Sequence, residues 1–229
     1  MCKEIVFEVL FGAGGTPEES KRCVKECLEL FEEQESLKER ALRKVFNQWP
    51  NNTDEDEVLV KITLLNVFYS TFLNNYASDK TDKIDIESMA SVIVGIENFD
   101  ELVHSANKSD QIRLVNAIRY CGKASKEESP FYDAYSFATK YCNWHNPKAF
   151  PIADRYSKGM VYYLACFMEG VGRVPGGLTQ QALLDYETFC DWHSKVSRFV
   201  CERCGTEFSL KEIDEFFWLF GKQNGLSIS

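Results

Sequence analysis

Apolar side chains recur at helical spacing along nearly the whole 229-residue chain, and this pattern constrains the fold most strongly. No stretch shows the alternation typical of a half-buried strand, and the sequence contains no internal repeat. The pattern predicts an all-α protein. The predicted helical segments before residue 122 are 17–48 (one or two helices), 58–76, 84–96, 99–107 and 110–121.

The stretch 133–167 predicts two helices joined by a short crossing that contains prolines. Helical spacing ends at Pro147 and Pro151, and a new periodic run begins after Asp154. An aspartate in that position is a natural N-cap, because its carboxylate accepts hydrogen bonds from the free backbone N–H groups of the first turn. Two or three further helices are predicted after the glycine-rich segment 170–177, and Gly221 is predicted to cap the last one.

Charge is distributed unevenly along this acidic chain, whose formal net charge is −9. Acidic residues dominate residues 1–60, whereas basic residues dominate 104–126 and 136–160. Asp154 is the only acid between 136 and 160. A lone carboxylate in a basic segment suits an enzyme that acts on a polyanion, although a solvated charged face would explain either basic segment alone.

Composition indicates a globular protein without a membrane span or a disulfide framework. The chain is 45% hydrophobic and 14% aromatic, and no apolar run approaches the ~20 residues that cross a bilayer. The N-terminus lacks a basic leader and a small-residue cleavage site, so we expect a mature protein. Nine scattered cysteines are then expected to be reduced, which predicts a cytoplasmic location.

Two short motifs suggest ligand sites, and the simpler interpretation is preferred for both. The segment GVGRVPGG (170–177) follows a helix instead of a strand and lacks the Lys-Ser/Thr ending of a phosphate-binding loop. Cys201 and Cys204 have the spacing of half a zinc site, but no second pair follows at regular spacing. We therefore predict no metal and no cofactor.

The segment FPIADRY (150–156) follows a helix containing SFATKYC (136–142). From spacing alone, Asp154 could be only a structural cap. The two segments together resemble the second half of the signature of the helix-hairpin-helix DNA glycosylase superfamily, and archaeal 8-oxoguanine glycosylases are most similar in style. LLNVFYSTF (64–72) resembles the family helix that lines the base pocket. The resemblance covers about residues 58–165 and implies a two-lobed fold in which Asp154 is catalytic.

Two departures from the family pattern affect the implied mechanism. The hairpin Leu-Pro-Gly-Val-Gly is absent, and GKASKEESPFYDAY (122–135) stands in its place. Where bifunctional members carry a nucleophilic lysine, this chain has Ser136, with Lys140 one turn further along the same helix face. The enzyme is either monofunctional and dependent on Asp154, or Lys140 has taken the lysine role.

The resemblance also implies which residues would contact DNA. The implied base pocket contains polar side chains of the central helix and an aromatic residue of the last helix, namely Asn66, Tyr69, Ser70, Thr71 and Trp218. The implied DNA contacts are basic or polar side chains of the middle of the chain, namely Lys123, Lys126, Ser136, His145, Lys148, Arg155 and Lys158. For each aromatic residue, a place in the core remains the alternative.

The sequence thus predicts a monomeric DNA glycosylase that excises a modified or damaged base from double-stranded DNA. Oxidised purine is the substrate that the resemblance implies, and a hypermodified viral cytosine is an alternative that would suit anti-phage defence. Two other functions remain open: an inert helical DNA-binding module, and an all-α protein–protein adaptor. The predicted segments are N-terminal helices on the second lobe (1–57), a core with a degenerate hairpin (58–168), and helices that complete the second lobe (169–229).

Overall fold

A computed structural model of the chain describes residues 7, 11–12, 15–69, 71, 85–121, 133–169, 175–176 and 178–228. All regular secondary structure in these residues is helical, so the all-α prediction is confirmed. The helices are α1 (Pro17–Gln48), α2 (Glu55–Tyr69), α3 (Ile86–Val94), α4 (Phe99–His104), α5 (Lys108–Arg119), α6 (Tyr135–His145), α7 (Arg155–Met168), a 3₁₀ turn (Ala182–Leu184), α8 (Tyr186–Cys204) and α9 (Leu210–Gln223). None of the helices in these described ranges is both long and apolar enough to cross a membrane.

Polar side chains define where most of these helices begin. Asp85, Asn107, Asp154 and Asp185 each accept a hydrogen bond from a backbone N–H of the first turn that follows. Ser209 and Glu212 form a reciprocal capping box at the start of α9. Such caps satisfy backbone donors that have no partner within the helix, and each stabilises its helix by about 1 kcal/mol.

Residues 37–152 form one compact unit. In this unit α2 packs against α3 and α6, and α5 packs against α4 and α6. Its core is built from apolar side chains of these helices, among them Val58, Ile62, Leu65, Ile93, Leu114, Ile118, Phe137 and Tyr141. The helix α2, predicted to be central, indeed buries one face here, while Val60 and Val67 remain exposed on another.

Residues 1–36 and 153–229 form the other compact unit. In this unit α7 packs against α8 and α9, over a core that includes Met160, Leu164, Phe189, Phe216 and Phe220. The chain end returns to α7, where the amide of Ile228 donates a hydrogen bond to the carbonyl of Arg155 at 3.1 Å. The predicted segments met between residues 57 and 58 and between residues 168 and 169, and the bounds of the two compact units differ from these positions. The three-segment division stays a prediction.

Helices α3, α4 and α5 differ from their predicted bounds by two or three residues, and two further helix ends differ for reasons that the structure shows. Helix α2 begins at Glu55 instead of residue 58, because the Asp54 carboxylate accepts from the amides of Asp56 and Glu57. Helix α9 continues through Gly221 to Gln223, and the left-handed residue that follows this helix is Gly225, whose φ is +64°. The cap prediction for Gly221 was therefore wrong.

Gly221 serves close packing instead of capping. A Cβ atom there would lie 3.2 Å from the side chains of Met160 and Tyr156. The absence of a side chain therefore lets α9 approach α7 closely. Sequence alone does not distinguish this role of a glycine near a helix end from a cap.

Candidate active site

Asp154 is the N-cap of α7, as the sequence predicted. Its Oδ1 accepts hydrogen bonds from the backbone amides of Tyr156 and Ser157, both at 3.0 Å. The residue is only 5% exposed. The cap therefore holds a carboxylate in a fixed orientation within a largely buried environment.

Aromatic and cationic side chains surround the first turn of α7. The exposed guanidinium of Arg155 donates to the Tyr156 hydroxyl at 2.8 Å and lies 4.6 Å from the centre of that ring. Tyr156 makes an edge-to-face contact with Trp218 at 6.5 Å, and the ammonium of Lys222 lies 4.4 Å from the Trp218 ring. The structure therefore brings Trp218, predicted from the last helix, next to the turn that Asp154 caps.

Lys140 lies in the unit formed by residues 37–152, where it contacts two other predicted site residues. Its Nζ donates to the Ser136 hydroxyl at 3.1 Å and lies 5.4 Å from the centre of the Tyr69 ring. The Tyr69 hydroxyl donates to the Glu39 carboxylate. Lys140 is only 4% exposed, so its amine is held inside this cluster instead of extending into solvent.

The remaining predicted pocket residues are only partly described. The Thr71 hydroxyl donates to the Asn66 side-chain carbonyl at 2.9 Å. Asn66 lies one turn before Tyr69 on α2. Ser70 lies outside the described residues. Asn66, Tyr69 and Thr71 thus belong to the unit of residues 37–152, whereas Trp218 belongs to the other.

The predicted DNA contacts differ in exposure. Lys148 and Arg155 are exposed, Ser136 is half-buried, and Lys158 is only 7% exposed. Lys123 and Lys126 lie outside the described residues. Arg155 and Lys148 are therefore the described residues of this set whose charge is most accessible to a phosphate.

His145 is surrounded by rings, with its imidazole 4.9 Å from Phe46, 5.6 Å from Phe99 and 5.2 Å from Tyr141. Its Nε2 is buried and has no hydrogen-bond partner. Burial, together with the positive charges of Lys61 and His104, lowers the pKa of His145 to about 3. Since a neutral imidazole offers no positive charge to a phosphate, we do not include His145 among the proposed DNA contacts.

Lys61 is a buried cation that the sequence analysis did not single out. Its Nζ donates to the carbonyl of Asn51 at 2.6 Å and to Asn52 Oδ1 at 3.3 Å. The Tyr141 hydroxyl donates to the same Asn52 oxygen at 2.5 Å. Burial lowers the pKa of Lys61 to about 8, the Asp100 carboxylate opposing this effect. Its position on the buried face of α2 gave the only sequence signal, because its partners lie in the loop before that helix and on α6.

The environment of His145 predicts a pH-dependent stability. The pKa of His145 in the folded protein lies below its ordinary value of 6.5. The contribution of the neutral imidazole to stability is therefore fully present above pH 6.5 and is lost as the pH falls toward 3. Between pH 6.5 and 4.5, chemical denaturation should show that wild type loses about 2 kcal/mol more than His145→Asn. The exposed His104 provides the control: His104→Asn removes one of the charges that lower the pKa of His145 but leaves its burial, so most of the wild-type pH dependence should remain. Identical profiles for wild type and His145→Asn would contradict this account of His145.

Comparison with known proteins places the chain in a family. Residues 23–149 match the family model HI_0787_N, described as an N-terminal domain. A protein of Haemophilus influenzae strain Rd, named only as an uncharacterized protein, is 32% identical over 173 residues, which is 76% of this chain and 70% of the relative. The chain belongs to the HI_0787_N family. No solved structure matches it.

The HI_0787_N match covers only part of the candidate site. It includes Lys140, Ser136, Asn66 and Tyr69, whereas Asp154 follows the end of the match by a few residues. Trp218, Arg155 and Lys158 also lie beyond residue 149. The cluster around Lys140 is therefore within the HI_0787_N domain, and the carboxylate at the start of α7 is outside it.

A Ser-His-Asp arrangement in α8 and α9, in which the histidine and the aspartate are buried, was not predicted from the sequence. His193 Nε2 lies 3.1 Å from Asp214 Oδ1, and Ser197 Oγ lies 3.2 Å from His193 Nδ1. The Ser197 hydroxyl, however, donates to the His193 backbone carbonyl at 2.6 Å. Its proton is thus not placed on the imidazole, as an activated serine nucleophile would require. We interpret the arrangement as a buried polar network of the core.

The described residues contain no group of three or more His, Cys, Asp or Glu side chains arranged to hold a metal ion. Cys201 and Cys204 are both buried at the end of α8. Burial raises the pKa of each thiol, that of Cys204 to about 11.

Proposed function

We propose that the chain is a monofunctional DNA glycosylase that hydrolyses the bond between a modified or damaged base and its sugar in double-stranded DNA. Asp154 is the proposed catalytic carboxylate. Cleavage of this bond passes through an oxocarbenium-like sugar, and a nearby carboxylate stabilises that cation and orients or deprotonates the attacking water. The supporting observation is the buried, oriented carboxylate at the start of α7.

Asp154 is buried, unlike other aspartates that cap the described helices. Asp85 and Asp185 also cap helices, and both are exposed to solvent. Capping by itself therefore does not require burial, and at Asp154 the hydrogen bonds from the Tyr156 and Ser157 amides compensate for the cost of burying the carboxylate. The burial of Asp154 therefore supports a role beyond helix capping.

The surface beside the cap has the chemistry of a nucleic-acid contact. Arg155 and Lys222 supply positive charge, and Tyr156 and Trp218 supply aromatic faces within the same unit. Cations hold phosphates, and aromatic rings stack on a base that has left the duplex. Trp218 is the proposed stacking residue, and Arg155 and Lys148 are the proposed phosphate contacts.

The environment of Lys140 supports a monofunctional mechanism. A lyase needs an amine that can leave its own contacts and attack the sugar carbon, whereas the Lys140 amine donates to the Ser136 hydroxyl and lies against the Tyr69 ring. Borohydride treatment on a duplex with an abasic site should therefore give no covalent adduct. A covalent adduct that disappears in Lys140→Ala would contradict the monofunctional part of the proposal.

Oxidised purine is the proposed substrate class, with hypermodified cytosine of phage DNA as the second choice. We further propose that the chain acts as a cytoplasmic monomer. The test is a screen for free base released from duplexes with single modified bases and from whole phage genomes. The proposal expects release from at least one substrate, and failure on all of them would contradict it.

DNA binding in the same screen distinguishes the two rival functions. Tight binding at low salt without base release would favour an inert DNA-binding module, because phosphate contacts are strongest there. Absence of binding at low salt would favour a protein–protein adaptor. Both results would contradict the glycosylase proposal.

A further inference from the structure

The ammonium of Lys222 lies over one face of the Trp218 indole, 4.4 Å from the centre of the ring. The two residues are one turn apart near the end of α9. Lys222 is exposed, and Trp218 is half-buried, with Phe31 and Tyr156 in edge-to-face contact with it at 5.8 and 6.5 Å. The residue proposed to stack on the base therefore already carries a cation.

This cation reverses the charge preference of the indole. The face of a tryptophan ring is electron-rich, and among aromatic side chains it attracts cations best. With the Lys222 ammonium over the Trp218 ring, an incoming positive charge meets a like charge instead. Arg155 adds a second positive charge, because its guanidinium donates to the Tyr156 hydroxyl at 2.8 Å and lies over that ring. The aromatic surface beside Asp154 is therefore electropositive.

The charge of Lys222 acts over the distance that separates it from a stacked base. A base on the Trp218 ring is close to this ammonium on the scale of the Debye length, which is about 8 Å at physiological salt. Salt therefore screens the repulsion of a cationic base only in part. A neutral base meets no such repulsion and keeps the full stacking interaction with the indole.

We propose that Lys222 is a specificity-determining residue, through which the Trp218 platform accepts neutral modified bases and rejects positively charged ones such as N7-alkylated purines. The inference rests on the proposed glycosylase function and names the bases that the site excludes. Specificity of this kind combines an attractive element, here the indole, with a repulsive one, here the ammonium. The position of Lys222 in the last turn of α9 also suits the helix dipole, but that role would not distinguish one base from another.

Single-turnover release of two bases tests the proposal: the neutral modified base that wild type releases fastest, and 7-methylguanine, which is positively charged in DNA. The ratio of the neutral to the cationic rate measures the preference. The attraction between Asp154 and a cationic base is common to all variants of residue 222, so it cancels when their ratios are compared. Lys222→Met should lower the ratio about fivefold, the size expected of one cation–ring interaction at an exposed site.

Two further variants of Lys222 separate its charge from its packing. Lys222→Glu places a negative charge at the same position and should lower the ratio further than Lys222→Met. Lys222→Arg should keep the wild-type ratio, because a guanidinium also stacks on an aromatic face. Release of 7-methylguanine that is detectable only in the Met and Glu variants counts as a fall in the ratio. At higher salt the wild-type ratio should approach that of Lys222→Met.

Lys195→Met is the matched control. Lys195 is also exposed, and its ammonium lies 4.2 Å from the centre of the Trp192 ring on α8. The two methionine variants lose the same charge from the same kind of contact in the same compact unit. Only Lys222→Met should change the ratio.

The outcomes separate the role of Lys222 from the function on which it rests. Absence of base release by wild type on every duplex would contradict the glycosylase function itself. An active wild type whose ratio is unchanged in both Lys222→Met and Lys222→Glu would overturn the role of Lys222 alone. Equal changes in Lys222→Met and Lys195→Met would overturn it as well, because the effect would then come from the net charge of the protein.

Discussion

Gly159→Ala is expected to destabilise the fold by about 3 kcal/mol or more. A Cβ atom at residue 159 would lie 2.1 Å from the carbonyl oxygen of Leu226 and 2.7 Å from its carbonyl carbon. Both are backbone atoms, which cannot rotate away as a side chain would. The chain end must then leave α7, and its hydrogen bond from Ile228 to the carbonyl of Arg155 would be lost.

Chemical denaturation of the purified chain measures this effect. The matched control is Gly176→Ala, because a Cβ atom at Gly176 would meet no atom within 4 Å. The control should unfold within about 0.5 kcal/mol of wild type. A Gly159→Ala protein as stable as the control would contradict the packing of residues 226–228 on α7.

The helices could be predicted from the sequence because their signals are local. Apolar spacing, together with Pro17 and two glutamates in the first turn, predicted the observed ends of α1. The N-cap role of Asp154 also depends only on adjacent residues, and it was correct. The error at Gly221 arose because its close packing depends on Tyr156 and Met160 of α7, which lie far earlier in the chain and beyond the reach of any local pattern.

The environments of the candidate residues could not be predicted, because they depend on tertiary contacts. The placement of His145 among Phe46, Phe99 and Tyr141 determines its charge, and the sequence shows only a histidine in a basic segment. The His193–Asp214 contact joins two helices and has no local signature. Likewise, spacing predicted that Lys140 lies on the same helix face as Ser136. It could not predict that the Lys140 amine lies against the Tyr69 ring.

Asp154→Asn should abolish most base release while leaving the fold almost unchanged. Asparagine is as good an N-cap as aspartate, so its Oδ1 can keep the hydrogen bonds from Tyr156 and Ser157. The negative charge that would stabilise the oxocarbenium-like sugar is lost. The excision rate should therefore fall by about 100-fold or more, whereas the free energy of unfolding should change by less than about 1 kcal/mol.

Asp185→Asn is the matched control for this substitution. Asp185 caps α8 as Asp154 caps α7, with its carboxylate accepting from the Thr188 amide at 2.8 Å, but it is exposed. The two variants lose the same charge from the same kind of helix position. Only the Asp154 variant should lose activity, and equal activity losses in both variants would point to an effect of helix capping instead of catalysis.

The most direct test of the central claim is the single-turnover rate of base release by wild type and Asp154→Asn on the same modified duplex, with the affinity of each protein for that duplex measured in parallel. The account predicts a rate at least about 100-fold lower for Asp154→Asn, with affinity kept within a few-fold of wild type. Base release by Asp154→Asn at the wild-type rate would contradict the catalytic role of Asp154.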